Sequence, residues 1–303
     1  MKASFLVLAA ALAMAAGGAA QAAASSRLDR IQSTGEIAIG TRDAAIPFSY
    51  LDDHQKSVGY AMDICAGIAD ALKKKLGLPA IRIKEVPVTG STRIPLIANG
   101  TIDLSCGPDT NNVQRQQQVD FAPATFVSAT HFASLKQSNL HHLSDFRGKT
   151  VISVSGSTNL KWLTEINAKD RLGMRIITAS DHAEAFLAVA NGRASAFFMD
   201  GILLAGLVAN AHDPKAWSIS KDAYTFEPYG IIEPKNDPRF KQAVDDAVKA
   251  MIADGQVEKL YVKWFTQPIP PKGVNLNWPM TPELKKLLAN PTDSPEPEVL
   301  KQD

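Results

Sequence analysis

Three arginines flank short apolar runs in the first half of the chain. Arg42 follows the β-rich run 37–40, Arg93 opens a predicted short helix, and Arg115 follows the segment 110–112. The planar guanidinium of arginine matches a carboxylate through two parallel hydrogen bonds. Each arginine alone could be a solvated surface residue. If the fold brings them together, their positive charges favour a shared anionic ligand.

Two further polar positions lie at predicted strand ends in the second half. The segment 155–158, Ser-Gly-Ser-Thr, separates a strand from a helix, where backbone N–H groups favour anions. Its alternative role is a plain helix N-cap. Asp200 ends another strand and could accept an ammonium group or cap the helix that follows. Arginines for carboxylates and an aspartate for an ammonium would together describe an amino-acid site.

The sequence carries none of the common catalytic motifs. GxSxG, HExxH, Walker A and GxGxxG are absent, and no CxxC zinc spacing occurs. His141 and His142 are adjacent, and because adjacent side chains rarely share one face we predict an exposed loop there. We expect neither a metal nor a cofactor. Acid/base catalysis by some of the 31 acidic residues stays open.

The elements that must position these residues alternate between strand and helix. Strand-like runs at 81–86, 102–106 and 150–154 are separated by helical periodicity. Such alternation predicts mostly parallel sheets, in which ligands bind beyond the carboxyl ends of the strands. An Asn-Gly helix stop before a strand occurs at 99–100 and again at 191–192, which indicates two similar lobes facing each other across a cleft.

The helices and the chain end carry further local signals. A helix with apolar residues at 64, 68, 71 and 72 is predicted, with Asp63 as its N-cap. A helical region from Pro238 to Phe265 should be divided in two by Gly255. The polar, proline-containing end of the chain, 291–303, has the composition of a disordered tail.

Composition and charge exclude several classes of protein. The chain has 303 residues, with 32 Lys and Arg against 31 Asp and Glu, and its net charge of +1 does not fit a nucleic-acid binder. Residues 1–22 combine Lys2, a short apolar run and small residues, which is typical of a signal peptide cleaved near Ala22. The apolar run is too short to span a membrane. We therefore predict an exported, periplasmic protein.

Several longer stretches are more specific than these motifs. They are 47–50, 93–96, 99–104, 110–116, 181–182, 259–265 and 268–271. With these stretches the chain resembles the periplasmic glutamate/aspartate-binding proteins of ABC importers, within the polar amino-acid solute-binding protein family. The likeness covers nearly all of the chain after the signal peptide.

The resemblance implies an α/β fold of two lobes, the type II-like periplasmic binding protein fold, with the ligand in the interlobe cleft. Lobe 1 would comprise 27–126 plus 229–290, and lobe 2 would comprise 130–226. The crossings would lie near 127–129 and 227–228. It also implies a monomer that captures an L-amino acid, glutamate or aspartate, and delivers it to a membrane ABC permease. No catalysis, metal, cofactor or nucleic acid is expected.

The resemblance further implies which residues hold the ligand's α-groups. Arg115 and Thr110 match the pair that binds the α-carboxylate, and Thr158 matches a hydroxyl that adds to it. Asp200 matches the acid that binds the α-ammonium. The backbone carbonyl of Pro108 could accept a hydrogen bond from the same ammonium.

The ligand's side chain has its own matching positions. Arg42, Arg93 and His182 match residues that recognise a side-chain carboxylate in the acidic-ligand subgroup. Phe48 is expected to pack on the apolar stem of the ligand.

Some positions depart from the pattern of the family. Related chains usually carry Ser at the position of Gly90, and Ser-Thr in place of Pro108-Asp109. Asp109 adds a negative charge beside a site for a dianion, and at an effective dielectric near 20 a like charge about 4 Å away costs about 4 kcal/mol. It could instead point to solvent or pair with an arginine. Cys65 and Cys106 could form a disulfide in an oxidising compartment or remain unpaired.

Three alternative functions therefore stay open at this point. The ligand could be a neutral or amide amino acid. The same fold also carries dehydratases that act on cyclic carboxylic acids, and a buried acid such as Asp109 keeps that enzyme class open. The third alternative is a sensor or scaffold that binds no nutrient.

Overall fold

The structure is a computed structural model, and it describes residues 26–297. The predicted signal peptide, 1–22, and the end of the predicted tail, 298–303, lie outside the described residues. The α-helices of the described part are α1 (Arg27–Thr34), α2 (Tyr60–Lys75), α3 (Arg93–Ala98), α4 (Thr158–Lys169), α5 (His182–Ala190), α6 (Gly201–Ala209), α7 (Pro238–Ala253), α8 (Gln256–Phe265) and α9 (Pro282–Ala289). Within 26–297, no helix has the length and apolarity needed to cross a membrane.

Short β-strands alternate with these helices, as the sequence predicts. The strands are β1 (Glu36–Thr41), β2 (Ala44–Ala45), β3 (Ser49–Leu51), β4 (Ser57–Val58), β5 (Arg82–Pro87), β6 (Leu104–Ser105), β7 (Val119–Phe121), β8 (Phe126–Ser128), β9 (Thr130–Leu135), β10 (Thr150–Val154), β11 (Arg175–Ala179), β12 (Phe197–Asp200), β13 (Trp217–Ile219), β14 (Glu227–Tyr229), β15 (Ile232–Pro234), β16 (Pro268–Ile269) and β17 (Val274–Asn275).

The first five-stranded sheet, the core of lobe 1, has the order β5-β1-β6-β15-β7. β1 runs parallel to β5 and β6, whereas β15 runs antiparallel to β6 and β7. Helix α2 contacts both β1 and α7. Its residues Ile64 and Ile68 are fully buried in the same hydrophobic cluster as Ile37 and Leu104 of the sheet. Burial of this apolar stripe fixes the helix on the sheet.

The second five-stranded sheet, the core of lobe 2, has the order β11-β10-β12-β9-β13. β10 is parallel to β11 and β12, and β9 is antiparallel to β12 and β13. Helices α4, α5 and α6 pack on this sheet. On one side, the rings of Phe132, Phe146 and Phe198 contact one another with centroid distances of 4.8–5.4 Å. The two sheets therefore repeat one arrangement of parallel strands with antiparallel partners.

The chain passes between the two sheets at β8 and β14. These strands pair antiparallel with each other, so that Glu227 lies opposite Ser128 and Tyr229 lies opposite Phe126. The predicted crossings fall on this pair. The residue limits of the lobes themselves, 27–126 plus 229–290 and 130–226, stay a prediction.

Two helix predictions have different outcomes. The division at Gly255 is confirmed: α7 ends before it and α8 follows it, with Gly255 in the left-handed region at φ 74°. The N-cap prediction for Asp63 is wrong, because α2 begins at Tyr60. The carboxylate of Asp63 instead accepts a hydrogen bond from Trp264 Nε1 at 2.7 Å and pairs with Lys263, which ties α2 to α8.

The structure describes residues 291–297 of the predicted tail, and Asp293 contacts lobe 1. Disorder of the whole tail, 291–303, stays a prediction. The carbonyl of Asp293 accepts hydrogen bonds from Asn111 Nδ2 and Gln116 Nε2, both at 2.8 Å. Its carboxylate pairs with Lys241 at 2.8 Å. Composition alone does not reveal these partners, because they come from two distant segments of lobe 1, 111–116 and α7.

A disulfide joins Cys65 of α2 to Cys106, the residue after β6. The open question about the two cysteines is thereby answered in favour of pairing. The bond anchors the segment that leads from β6 to the polar loop 107–115.

Candidate functional site

All eight predicted ligand-binding residues line one cavity between the two lobes. This space is the interlobe cavity. Its lining residues come from both sheets: Arg42, Gly90, Arg93, Pro108, Thr110, Arg115, Val154, Ser157, Thr158, Asn159, His182, Met199 and Asp200.

The lobe 1 side of the cavity is formed where its strands and helices begin or end. Arg42 follows β1, and Arg93 is the first residue of α3. Thr110 follows β6 and forms an isolated β-bridge with Tyr229. Arg115 begins the short turn before β7. The rule that ligand residues gather at the carboxyl ends of parallel strands therefore predicts this side well.

The lobe 2 side is built from two helix N-termini and one strand end. Thr158 begins α4, after Ser157, whose hydroxyl caps that helix by accepting from Leu160 N. His182 begins α5, and Asp200 ends β12. Backbone N–H groups at helix N-termini attract anions, so the ends of α4 and α5 add partial positive charge to the cavity wall.

The cavity arginines are buried, with exposed fractions of 5% for Arg42, 3% for Arg93 and 8% for Arg115. Desolvation, with the positive charge of Arg93 second, lowers the pKa of Arg42 and of Arg115 to about 10. Both guanidinium groups stay charged at neutral pH. Buried cations of like sign repel one another, so this arrangement favours an anion that joins them.

Arg115 already has a fixed orientation. Its Nη1 donates to Thr110 O at 2.7 Å, and its Nη2 donates to Gly156 O at 3.1 Å. The second bond crosses from lobe 1 to the turn before α4 in lobe 2. Arg115 therefore contacts both lobes from the edge of the cavity.

Asp109 forms an ion pair with an arginine, which is one of the three orientations left open by the sequence. Its Oδ1 lies 2.5 Å from Arg93 Nε, and both side chains are almost completely buried. Ser105 Oγ donates to the other carboxylate oxygen, Oδ2, at 2.7 Å. Asp109 is not among the residues that line the interlobe cavity. The positive charge of Arg93 therefore offsets the negative charge of Asp109, and Asp109 lies outside the lining of the cavity.

His182 contributes a neutral imidazole. Burial, with the charge of Arg42 second, lowers the pKa of His182 to about 3, although a hydrogen bond with the backbone of Ala44 opposes the shift. At neutral pH the ring can therefore donate or accept a hydrogen bond, and it adds no positive charge.

Asp200 is held by side chains and does not cap the helix after it. Tyr229 donates to Oδ2 through a short hydrogen bond, and Asn159 Nδ2 donates to Oδ1 at 2.9 Å. Burial and the charge of Glu227 raise the pKa of Asp200 to about 7, against the opposing effect of those two donors. A cation placed beside Asp200 would stabilise its charged form.

Comparisons with known proteins identify the family of the chain. Residues 37–267 match the family model of the bacterial extracellular solute-binding proteins, family 3. The chain belongs to this family. It is 47% identical over 267 residues to the L-glutamate/L-aspartate-binding protein of Pseudomonas aeruginosa, with 88% of each chain covered. It is also 43% identical over 286 residues to the glutamate/aspartate import solute-binding protein of Salmonella typhimurium, with 94% of each chain covered.

Solved structures support the same two-lobed α/β fold for this family 3 protein. An ancestral arginine-binding protein bound to arginine matches with a TM-score of 0.69 and 27% identity, covering 76% of this chain and 98% of that one. The ancestral amino acid-binding protein AncCDT-1, a precursor of cyclohexadienyl dehydratase, matches with a TM-score of 0.68 and 29% identity, covering 80% and 100%. The predicted fold class is confirmed.

Glu227 is a residue of this solute-binding protein that the sequence reasoning missed. Thr158 Oγ1 donates to its Oε2 at 2.9 Å, and Thr225 Oγ1 donates to its Oε1 at 2.8 Å. Glu227 is buried on the crossing strand β14. The signal that could have found it is its place in the predicted crossing 227–228, directly beside the cleft.

Two other expectations concern residues away from the cavity. Phe48 is not a lining residue, so the prediction that it packs on the ligand is wrong. Its ring packs among Phe126, Tyr229 and Phe265, with centroid distances of 5.0–5.5 Å, in the core of lobe 1. His142 is exposed and pairs with Asp222. Across residues 26–297, no group of three or more His, Cys, Asp or Glu side chains could hold a metal.

Proposed function

We propose that this protein binds an acidic L-amino acid, glutamate or aspartate, in the interlobe cavity and delivers it to an ABC permease. The observation that carries the proposal is the convergence of three buried arginines and one buried aspartate on a single cavity between two lobes. The names of the relatives from Pseudomonas aeruginosa and Salmonella typhimurium support glutamate and aspartate as the ligands.

The α-groups of the ligand have complementary partners. Arg115, Thr110 and Thr158 bind the α-carboxylate, because a guanidinium and two hydroxyls supply N–H and O–H donors to its oxygens. Asp200 binds the α-ammonium, and Pro108 O accepts a further hydrogen bond from it. Thr110 Oγ1 and Thr158 Oγ1 lie 3.5 Å apart across the cleft. A carboxylate between the lobes gives both hydroxyls a common acceptor, and Thr158 turns its single O–H from Glu227 to the ligand.

Arg42, Arg93 and His182 bind the side-chain carboxylate of the ligand. Asp109 offsets the charge of Arg93, so Arg42 and Arg115 supply the positive charge that the two ligand carboxylates require. Because Arg93 remains on the cavity wall, its N–H groups can still donate to the ligand.

The protein acts as a binding protein and not as an enzyme. The relatives that are 42–47% identical are named as binding proteins. The ligand favours the closed arrangement of the lobes because it contacts both at once, and a ligand shifts such an equilibrium by its difference in affinity for the two states.

The family is extracellular by description, and we assign this protein to the periplasm, with cleavage of a signal peptide near Ala22. The lobes comprise 27–126 plus 229–290 and 130–226, and the protein works as a monomer. Mass spectrometry of the mature protein from the periplasmic fraction tests the cleavage site. Light scattering tests the oligomeric state.

A thermal-shift panel on protein refolded without ligand tests the function. Ligand at 100 times its Kd stabilises a protein by about 2.7 kcal/mol, which raises Tm by several degrees. We expect large shifts with L-glutamate or L-aspartate, a smaller shift with L-glutamine, and none with D-glutamate or succinate. A shift with amide or neutral amino acids alone would refute the roles of Arg42, Arg93 and His182. No shift with any amino acid would refute the proposed function.

A further inference from the structure

A buried carboxylate lies directly behind one wall of the interlobe cavity. Asp109 is fully buried, and its Oδ1 lies 2.5 Å from Nε of Arg93. Nη1 of the same guanidinium donates a short hydrogen bond to Gly90 O. Arginine has more N–H donors than these two contacts use, so the guanidinium keeps donors for the cavity that it lines. One guanidinium group therefore separates Asp109 from the space that a ligand would occupy.

The backbone around Asp109 has supports that do not involve its charge. Gly230 N donates to Asp109 O at 3.1 Å, and the next residue, Thr110, forms its β-bridge with Tyr229. Asparagine has nearly the same size and shape as aspartate and carries no charge. Asparagine at position 109 would therefore keep this backbone support and change mainly the charge behind Arg93.

The charge of Asp109 extends to the place proposed for the ligand's side chain. A carboxylate oxygen that accepts from the far nitrogens of Arg93 would lie within about 8 Å of Asp109 Oδ1, which is the sum of the ion-pair contact, the guanidinium and one hydrogen bond. The same negative charge raises the pKa of Arg42 and of Arg115, against the larger effect of their burial. Asp109 therefore acts on all three cavity arginines.

L-Glutamate and L-glutamine differ by one negative charge at the end of the side chain and have the same α-groups. Interactions with the α-groups therefore largely cancel in the ratio of the two affinities. A negative charge near the side chain opposes glutamate and has little effect on glutamine. The neutral ring of His182 fits either ligand, because an imidazole can donate to a carboxylate or accept from an amide.

We propose that Asp109 determines how strongly this protein prefers an acidic amino acid to its amide, because it cancels part of the positive charge that Arg93 offers to the ligand. Asp109 is a specificity-determining residue that acts through Arg93 from outside the cavity lining. The inference rests on the proposed function, since it concerns the side-chain end of the same cavity. It implies that the wild-type protein binds glutamine measurably, as a weaker ligand beside glutamate.

The test compares Asp109→Asn with Ser105→Ala. The first variant removes the charge of Asp109, whereas the second removes only the hydrogen bond that Ser105 Oγ donates to Asp109 Oδ2 at 2.7 Å. Ser105 is buried on β6 and does not line the cavity, so its variant is the matched control for a local loss of stability. Titration calorimetry at one pH and ionic strength measures the Kd for L-glutamate directly. Displacement of glutamate by excess L-glutamine gives the Kd for glutamine.

We expect Asp109→Asn to raise the ratio of glutamate affinity to glutamine affinity at least tenfold, because one charge about 8 Å away at an effective dielectric near 20 corresponds to a change of about 30-fold. Ser105→Ala should leave this ratio within about twofold of the wild-type value, because it keeps the charge of Asp109. A purely structural role of Asp109 predicts the same change in both variants.

An unchanged ratio in Asp109→Asn, or equal changes in the two variants, would refute the inference alone. Wild-type protein from which excess glutamine displaces no glutamate would also refute it, and this measurement decides the question if Asp109→Asn does not fold. A wild-type protein that binds neither glutamate nor aspartate would refute the proposed function and the inference with it.

Discussion

The affinity for L-glutamate should fall on acidification because of Asp200. Burial and the charge of Glu227 raise the pKa of this carboxyl to about 7. In the proposed site, ionised Asp200 binds the α-ammonium of the ligand, whereas the protonated form has lost the charge that attracts it. The pKa of His182 is lowered to about 3, so this residue stays neutral between pH 8 and pH 5.

The size of the effect follows from the ionised fraction. With a pKa of about 7, Asp200 is about nine-tenths ionised at pH 8 and about one-hundredth ionised at pH 5. If only the ionised form binds, the Kd rises about 90-fold, which is about 2.7 kcal/mol at about 1.36 kcal/mol per pKa unit. The carboxylates of the ligand remain mostly ionised, since their pKa values are about 4.3 or lower.

The stability of the ligand-free protein should respond in the opposite direction. The pKa of Asp200 is higher in the folded protein than the ordinary value of 3.8, so the folded state binds the proton more tightly than the unfolded state. The contribution of this group to stability therefore rises as the pH falls from 8 towards 4. Weaker binding at low pH would then not be a consequence of unfolding.

Titration calorimetry at pH 8, 7, 6 and 5, at constant ionic strength, measures the change in affinity. Asp200→Asn is the control, because it should bind weakly at pH 8 and show little further loss at pH 5. A wild-type Kd that stays within twofold across this range would refute the assignment of the ammonium to Asp200.

Further predictions concern the arginines, Asp109 and the disulfide. Arg115→Ala should remove two charge-assisted hydrogen bonds of about 1.5–3 kcal/mol each and so weaken the binding of every amino acid at least 100-fold. Arg93→Ala should mainly weaken the binding of acidic amino acids. Calorimetry with glutamate and glutamine tests both variants, and an equal loss of affinity for the two ligands in Arg93→Ala would contradict this division. Asp109→Asn should lower the ligand-free unfolding free energy by about 3 kcal/mol, because buried Arg93 loses its counter-charge; an unchanged urea midpoint would count against it. Reduction of Cys65–Cys106, which closes a 41-residue separation, should lower stability by about 4 kcal/mol on the chain-entropy estimate, and urea denaturation with and without reductant measures it.

The lining of the cavity could be predicted because it follows from a simple topological rule. Arg42 follows β1 and Asp200 is the last residue of β12, and both strands have parallel partners. Arg93 and His182 begin helices beside such strand ends, so local sequence already places these residues on the cleft. The resemblance to glutamate/aspartate-binding proteins then indicated which of these positions act together.

The missed features depend on contacts between segments that are far apart in sequence. The orientation of Asp109 was undecided because it depends on Arg93 across a buried contact. Glu227 and Tyr229 reach the site only because β14 returns beside β8. Aspartate is a common N-cap residue, and only the position of α8 shows that the carboxylate of Asp63 accepts a hydrogen bond from Trp264. Local pattern predicts where an element lies, whereas the partner of a buried polar group is a tertiary property.

The order of strands in the first sheet has a consequence for how the chain folds. The residues from β9 to β13 contain every strand of the second sheet, so lobe 2 can complete its hydrogen bonds from one continuous stretch. Lobe 1 cannot, because β15, which pairs with both β6 and β7, comes after lobe 2 in the chain. Until β15 arrives, β6 and β7 present unpaired edges to other chains, and such edges promote aggregation. During synthesis from the N-terminus, lobe 1 can therefore complete its sheet only after the whole of lobe 2 has been made.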